Sequence, residues 1–144
     1  MTDAYLPLSA CPACDLAQAE AVLCDIDDTL TTHGRLPAAA YGALERLHEA
    51  GLIVIPVTGR PAGWCDHIAR MWPVNGVVGE NGAFAFCYDD REKRMLRLYA
   101  QSAEMRETNG AKLKRIAEEV LATFPGTAIA SDQAYREIDV AIDF

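Results

Sequence analysis

The sequence predicts an α/β fold in three layers, a parallel sheet covered by helices on both sides. Three observations carry this. The runs "AVLCDI" (21–26), "LIVIPV" (52–57) and "VNGVVG" (74–79) are apolar, of strand length and without alternation, as strands buried on both faces are. Segments with helical apolar spacing separate them twice. Turn residues close each unit.

Taken in order, residues 1–19 form an N-terminal arm ahead of the first strand. After that strand comes the short polar loop "DDTLTTHGR", and Pro37 then opens a helix at a favoured first-turn position. Tyr41, Leu44, Leu47 and Ala50 lie on one face of that helix, and Gly51 ends it as a left-handed residue. After the second strand, "TGRP" turns the chain into a helix whose inner stripe is predicted as Trp64, Ile68, Met71 and Trp72, with Pro73 as its stop. Both tryptophans are thereby predicted in the core.

The pattern changes after the third strand. "AFAFCYD" and "RMLRLYA" flank the charged turn "DREK" as a hairpin over 83–99. Leu113, Ile116, Ala117, Val120, Leu121 and Phe124 predict an amphipathic helix over 111–124, closed by Pro125 and Gly126. "TAIA" and "EIDVAIDF" read as two more strands, the second alternating Ile138, Val140 and Ile142.

Composition narrows the classes. With 144 residues, 51% hydrophobic and 24% charged, the chain is expected to be a soluble globular domain. A net charge of -8 argues against nucleic acid as a partner, because a phosphate backbone calls for a basic face. No apolar stretch approaches the roughly 18 residues of a membrane span. "LSAC" (8–11) superficially resembles a lipoprotein cleavage site, but nothing basic and no apolar segment precedes it, so no signal peptide is predicted. The cysteines, Cys11, Cys14, Cys24, Cys65 and Cys87, make an odd count, unlike a secreted disulfide framework. "CPAC" has redox or zinc spacing but stands alone, so its thiols are read as inert. A cytoplasmic protein is expected. His33, His48 and His67 share no ligand spacing.

The chemistry concentrates at two strand ends. Asp25 and Asp27 fall on one side of the first strand, roughly 6.5 Å apart along it. Two carboxylates converging there repel, so one is protonated or a cation sits between them; an oxygen-only site suits magnesium. Thr58 and Gly59 end the second strand, which a single crossover places parallel to the first, on the same edge of the sheet. Ligands of open α/β sheets bind at that edge, and a hydroxyl, a glycine amide and a helix N-terminus favour a phosphate. Each residue also has a plainer reading: a cap or solvated turn for the acids, an N-cap for Thr58, a surface cation for Arg60, a turn former for Asn81.

"DIDDTL" resembles the D-x-D-x-T motif of the haloacid dehalogenase-like (HAD) phosphohydrolases, and "VTGR" is similar to their second motif. "GENGA" (79–83) resembles the third-strand segment of the Cof-like, sucrose-phosphatase-like and phosphomannomutase-like branch, the type IIB group with a C2 cap. The resemblance covers residues 20–144, the front half of such a protein. It implies a Rossmann-like core over 20–100 and, over 101–144, the start of an α/β C2-type cap that closes on the site. The interval from Asp27 to Pro37 leaves room only for a small flap. Asp25 would be the nucleophile and Asp27 the acid and base, with Mg2+ on the Asp25 carboxylate and the Asp27 carbonyl. Thr58 and Gly59 would hold phosphate oxygens, and Arg60 and Asn81 would reach the substrate or the rim.

The implied activity is hydrolysis of a sugar phosphate or similar small phosphorylated metabolite. The family's third-motif Lys or Arg and fourth-motif acidic pair have no counterpart. Asp89 and Asp90 fall in the hairpin turn, and Asp132, Asp139 and Asp143 in the cap, so the chain by itself is expected to be catalytically incomplete. A phosphomutase that returns the phosphate to another hydroxyl is the alternative. A receiver-like signalling domain is the non-enzymatic rival, although its phosphate-accepting acid would end the third strand, at Gly79, Glu80 and Asn81. Oligomeric state is not legible.

Overall fold

The computed structural model of the chain describes residues 7–144; residues 1–6 of the expected arm lie outside the described residues. The rest of the arm holds a short helix, α1 (Ala13–Leu16), that buries no side chain. Five strands form one sheet in the order β1 (Ala21–Asp25), β2 (Ile53–Val57), β3 (Val77–Gly79), β4 (Phe84–Asp89) and β5 (Arg94–Tyr99). β1 to β3 run parallel, and the predicted hairpin β4–β5 returns antiparallel. Asp25 pairs with Val57 and Val57 with Val78, so the parallel strands finish on one edge. The fold is α/β and Rossmann-like, with a mixed sheet.

Helices α2 (Ala38–Glu49) and α3 (Ala62–Met71) make the two crossovers. Both step the same way across the sheet, and right-handed connections then place both on one face. Tyr41 of α2 accordingly meets Trp72 edge to face at 6.3 Å, and its hydroxyl donates to the Met71 carbonyl at 3.1 Å. Beneath the helices lie Val54, Val77, Phe84 and Phe86, the two rings stacked at 4.2 Å. Each such side chain contributes about 1.5–3 kcal/mol by leaving water. A Cβ on Gly79 would collide with the Phe84 ring and with the Cys65 sulfur, so this close approach requires glycine.

The opposite face departs from expectation. The register puts Leu23, Ile53, Leu96 and Leu98 on it, and α2 and α3 leave these residues exposed, Leu23 at 64%. The predicted stripe of α3 also shifts. Ile68 is buried and Trp72 half-buried, but Trp64 and Met71 are exposed; the inner face is Ala62, Cys65, Ile68 and Ala69. Small side chains let the helix lie close on Val77 and Phe84, where an indole would hold it off. Burial pushes the Cys65 thiol up to about 12, so it behaves as a small apolar core group.

Beyond β5 the chain differs more. The helix predicted over 111–124 is longer, α4 (Ala103–Thr123), and begins where the Ser102 hydroxyl accepts the Met105 N–H at 3.2 Å. Of its apolar stripe only Ala117 is buried, while Ile116 and Phe124 are exposed. The two predicted strands shrink to a two-residue ladder, β6 (Ala128–Ile129) against β7 (Ile142–Asp143). Among the described residues no helix is long and apolar enough to cross a membrane.

Candidate active site

The site forms where the parallel strands end. β1 stops at Asp25, and Ile26–Leu30 folds into one wide turn in which Asp28 takes φ +56. Short polar side chains tolerate that left-handed backbone better than most. Thr31, buried behind the turn, donates its hydroxyl to the Ile26 carbonyl at 3.0 Å and accepts the Asp28 N–H at 3.1 Å. Asp27 has therefore already left the strand, and the strand spacing predicted for the two acids does not apply. They turn to different partners.

Asp25 is exposed and accepts the Thr29 hydroxyl at 3.1 Å. Asp27 faces the end of β2. It accepts from Arg60 Nε at 3.1 and 3.2 Å, from Arg60 Nη2 at 2.7 Å and, more weakly, from the Thr58 hydroxyl at 3.4 Å. The Arg60 hydrogen bonds hold the Asp27 carboxyl below the usual carboxylate range, against an opposing effect of partial burial. The same bonds hold Arg60 above its ordinary value. Both side chains are more than a third exposed, so water screens the pair and its stabilisation is about 0–1 kcal/mol.

Thr58 is 2% exposed, and its oxygen accepts the Arg60 N–H at 3.0 Å. This is a local turn bond rather than the N-cap of the plainer reading, since α3 starts only after Pro61. A Cβ on Gly59 would meet Asn81 Oδ1 at 2.9 Å, so glycine lets the Asn81 side chain close over it. Asn81 itself sits at φ +58 and donates to Asp139 Oδ2 at 3.4 Å. Arg60 lies over the Trp64 ring at 5.0 Å, which explains an exposed indole at this place. The structure thus brings Asp27, Thr58, Gly59, Arg60 and Asn81 together and leaves Asp25 at their margin.

One expected phosphate donor is already engaged. The Ala62 N–H at the start of α3 donates to Glu80 Oε1 at 3.0 Å. In the interval between Asp27 and Pro37, Thr32 and Arg35 exchange backbone bonds at 2.9 and 3.1 Å across His33 and Gly34, both left-handed as a tight hairpin turn requires.

Sequence reasoning missed the far wall. A pocket of about 430 Å³ has Asp27, Gly59 and Arg60 on one side and Ser131, Asp132 and Arg136 on the other. Arg136, 10% exposed, donates to the Gly59 carbonyl at 3.2 Å, to Asp139 at 2.7 Å and to Asp132 at 3.3 Å. Burial opposes its charge, but the bonds to Asp139 and Asp132 prevail and hold it above its ordinary value. The sequence signal was the cluster of charges in "SDQAYREID", which carries no motif.

For a metal, no three His, Cys, Asp or Glu side chains gather among the described residues. The donors the resemblance implies are the Asp25 carboxylate and the Asp27 carbonyl. These are hard oxygens, and magnesium accepts one or two carboxylates with phosphate and water completing its shell.

A family model described as haloacid dehalogenase-like hydrolase matches residues 22–134, most of the chain and every candidate site residue. The chain belongs to the haloacid dehalogenase-like hydrolase family. Its fold is similar to that of a Thermoplasma acidophilum protein, at TM-score 0.58 and 20% identity over 87% of this chain and 51% of that one. A haloacid dehalogenase-like hydrolase from Bacteroides thetaiotaomicron is similar at TM-score 0.50 and 19% identity, over 70% of this chain and 39% of that one. At these identities the likeness concerns the fold. The chain spans about half the length of the first structure and less of the second. No curated protein matches it.

Proposed function

We propose that this hydrolase removes phosphate from a sugar phosphate or a similar small metabolite by way of an aspartyl-phosphate on Asp25. One observation carries the reading. Asp27, from the end of β1, and Arg60 with Thr58, from the end of β2, are joined by hydrogen bonds beside a polar pocket, with Asp25 exposed two residues away. Once Arg60 turns to the phosphate, the freed Asp27 carboxylate takes up a proton from water; an Asp25 oxygen then attacks phosphorus while the ester oxygen leaves and takes that proton from Asp27. Asp27 then removes a proton from water, which attacks phosphorus and frees Asp25 and inorganic phosphate. In the resting geometry Asp27 is engaged by Arg60. The phosphate, with its greater charge, is expected to draw the guanidinium to itself and release Asp27 for this work. Magnesium held by the Asp25 carboxylate and the Asp27 carbonyl would offset the negative charge of nucleophile and phosphate.

The wall supports this substrate class: Ser131, Asp132 and Asp143 offer hydroxyl and carboxylate partners to a hydroxylated leaving group. Residues 101–144 are read as the beginning of a cap over a core of 20–100. The five thiols stand unpaired, which suits a reducing, cytoplasmic setting. Against a receiver-like role, the acid that ends β3, Glu80, is 2% exposed and bound to backbone amides, out of reach of a phosphate donor.

The test is phosphate release from a panel of phosphorylated metabolites by the intact protein with magnesium, beside Asp25→Asn. At least about a thousandfold loss of turnover is expected for loss of a nucleophile. Wild-type turnover by Asp25→Asn would remove the assignment. Isomerised sugar phosphate in place of free phosphate would mark a phosphomutase.

A further inference from the structure

Glu80 is the most deeply buried acid of the described residues, at 2% exposure, and its carboxylate is held by backbone N–H groups. It follows β3 in left-handed backbone, φ +45, and Asn81 repeats this at φ +58. Asn tolerates such backbone, but for Glu80 it is costly, about 1–3 kcal/mol, and persists only where surrounding contacts demand it. The demand is visible. Glu80 Oε1 accepts from Ala62 N at 3.0 Å and Glu137 N at 2.9 Å, and Oε2 accepts from Ile138 N at 2.7 Å and Asp139 N at 2.9 Å. One carboxylate therefore takes four backbone donors, three of them successive.

Those three belong to a segment that has no strand partner there. Without Glu80, the part-buried N–H groups at 137–139 would lose their protein acceptor, as would the buried N–H of Ala62. The same segment carries Arg136, whose guanidinium reaches the Gly59 carbonyl, and Asp139, which meets Asn81. Glu80 donates its own N–H to the Arg60 carbonyl at 3.2 Å, so the latch is continuous with the loop that presents Thr58, Gly59 and Arg60.

We propose that Glu80 is a positioning residue: by gripping the 137–139 backbone it sets Ser131, Asp132 and Arg136 as the wall of the pocket and thereby selects the hydroxylated leaving group. The specificity part rests on the phosphatase reading; the grip does not.

Amide hydrogen exchange separates the two. In the wild-type chain the Ile138 and Asp139 amides, although outside any helix or strand, are expected to exchange as slowly as those of β2; exchange at the rate of an open loop overturns the proposal. In Glu80→Gln the exchange of residues 137–139 is expected to rise at least about tenfold while Val54, Ile55 and Val57 keep their protection. Unchanged exchange at 137–139 also overturns it. With the intact protein, the kcat/KM ratio of a sugar phosphate to acetyl phosphate is expected to fall about tenfold in Glu80→Gln, because acetyl phosphate has no hydroxylated leaving group. A parallel loss on both substrates would mean general damage and refute the specificity role. If Glu80→Gln does not fold, Glu80→Asp, which keeps the charge and shortens the reach, undergoes the same measurements with the same expectations. Exchange does not require turnover, so a wild-type protein that releases phosphate from no member of the panel would end the phosphatase reading, while the exchange measurements would still decide the grip.

Discussion

The first and third strands both end in acids on left-handed turns, and the two ends are built in opposite ways. After β1, Asp25 is exposed, and Asp27 is engaged by a long, movable guanidinium. After β3, Glu80 is buried against four backbone N–H groups that cannot rotate away. A side-chain partner can be traded for a ligand at little cost, and a set of backbone partners cannot. The β1 end is suited to chemistry and the β3 end to placement.

The comparison can be broken by mutation. The largest effect is expected at the β3 end. Glu80→Ala strands the buried Ala62 N–H and the part-buried N–H groups at 137–139, and urea unfolding should show a loss of about 3–5 kcal/mol. A loss under about 1 kcal/mol would mean that water replaces the carboxylate, and the contrast would fail. Thr31→Val comes next: it removes both hydrogen bonds that brace the β1 turn while keeping the shape, and about 1–2 kcal/mol should be lost.

Arg60→Met should change stability by about 1 kcal/mol or less near neutral pH, because the ion pair is exposed. Its sign with pH is fixed. Asp27 is held below its unfolded value of 3.8, so its contribution is fully present above that pH and is lost as pH falls through the lower folded value. Wild type and Arg60→Met should therefore converge in strong acid and differ above it; a gap that widens on acidification would refute the assignment. The smallest effect is expected for Asp25→Asn, within about 0.5 kcal/mol in the same unfolding experiment, since Asp25 is exposed and, among the described residues, its side chain is bonded only to Thr29. An exposed acid that can be neutralised without cost to the fold is the sharpest form of the contrast.

How much of this was legible beforehand depends on how local each signal is. The three parallel strands, their crossover helices and the hairpin were readable, because hydrophobic period and turn residues act within a few positions. Trp64 was misplaced because spacing alone does not reveal that Arg60 offers its ring a partner at the surface. The start of α4 was hidden by a polar stretch whose decisive signal is one capping serine. Ile138, Val140 and Ile142 have the alternation of a strand, yet most of that strand is missing, because its amides are claimed by an acid 57 to 59 residues earlier in the chain.

By itself the sequence determined the α/β order of elements, the meeting of the β1 and β2 ends on one edge, and the residue types that offer a phosphate its chemistry. Only the tertiary structure decided which acid is exposed and which is buried, which sheet face α2 and α3 leave open, and that Arg136 and Asp132 stand across the pocket from Asp27. The physical reason is the hydrogen bond. Each buried donor takes whichever acceptor the whole fold brings within 3 Å or so, and no local pattern records that choice.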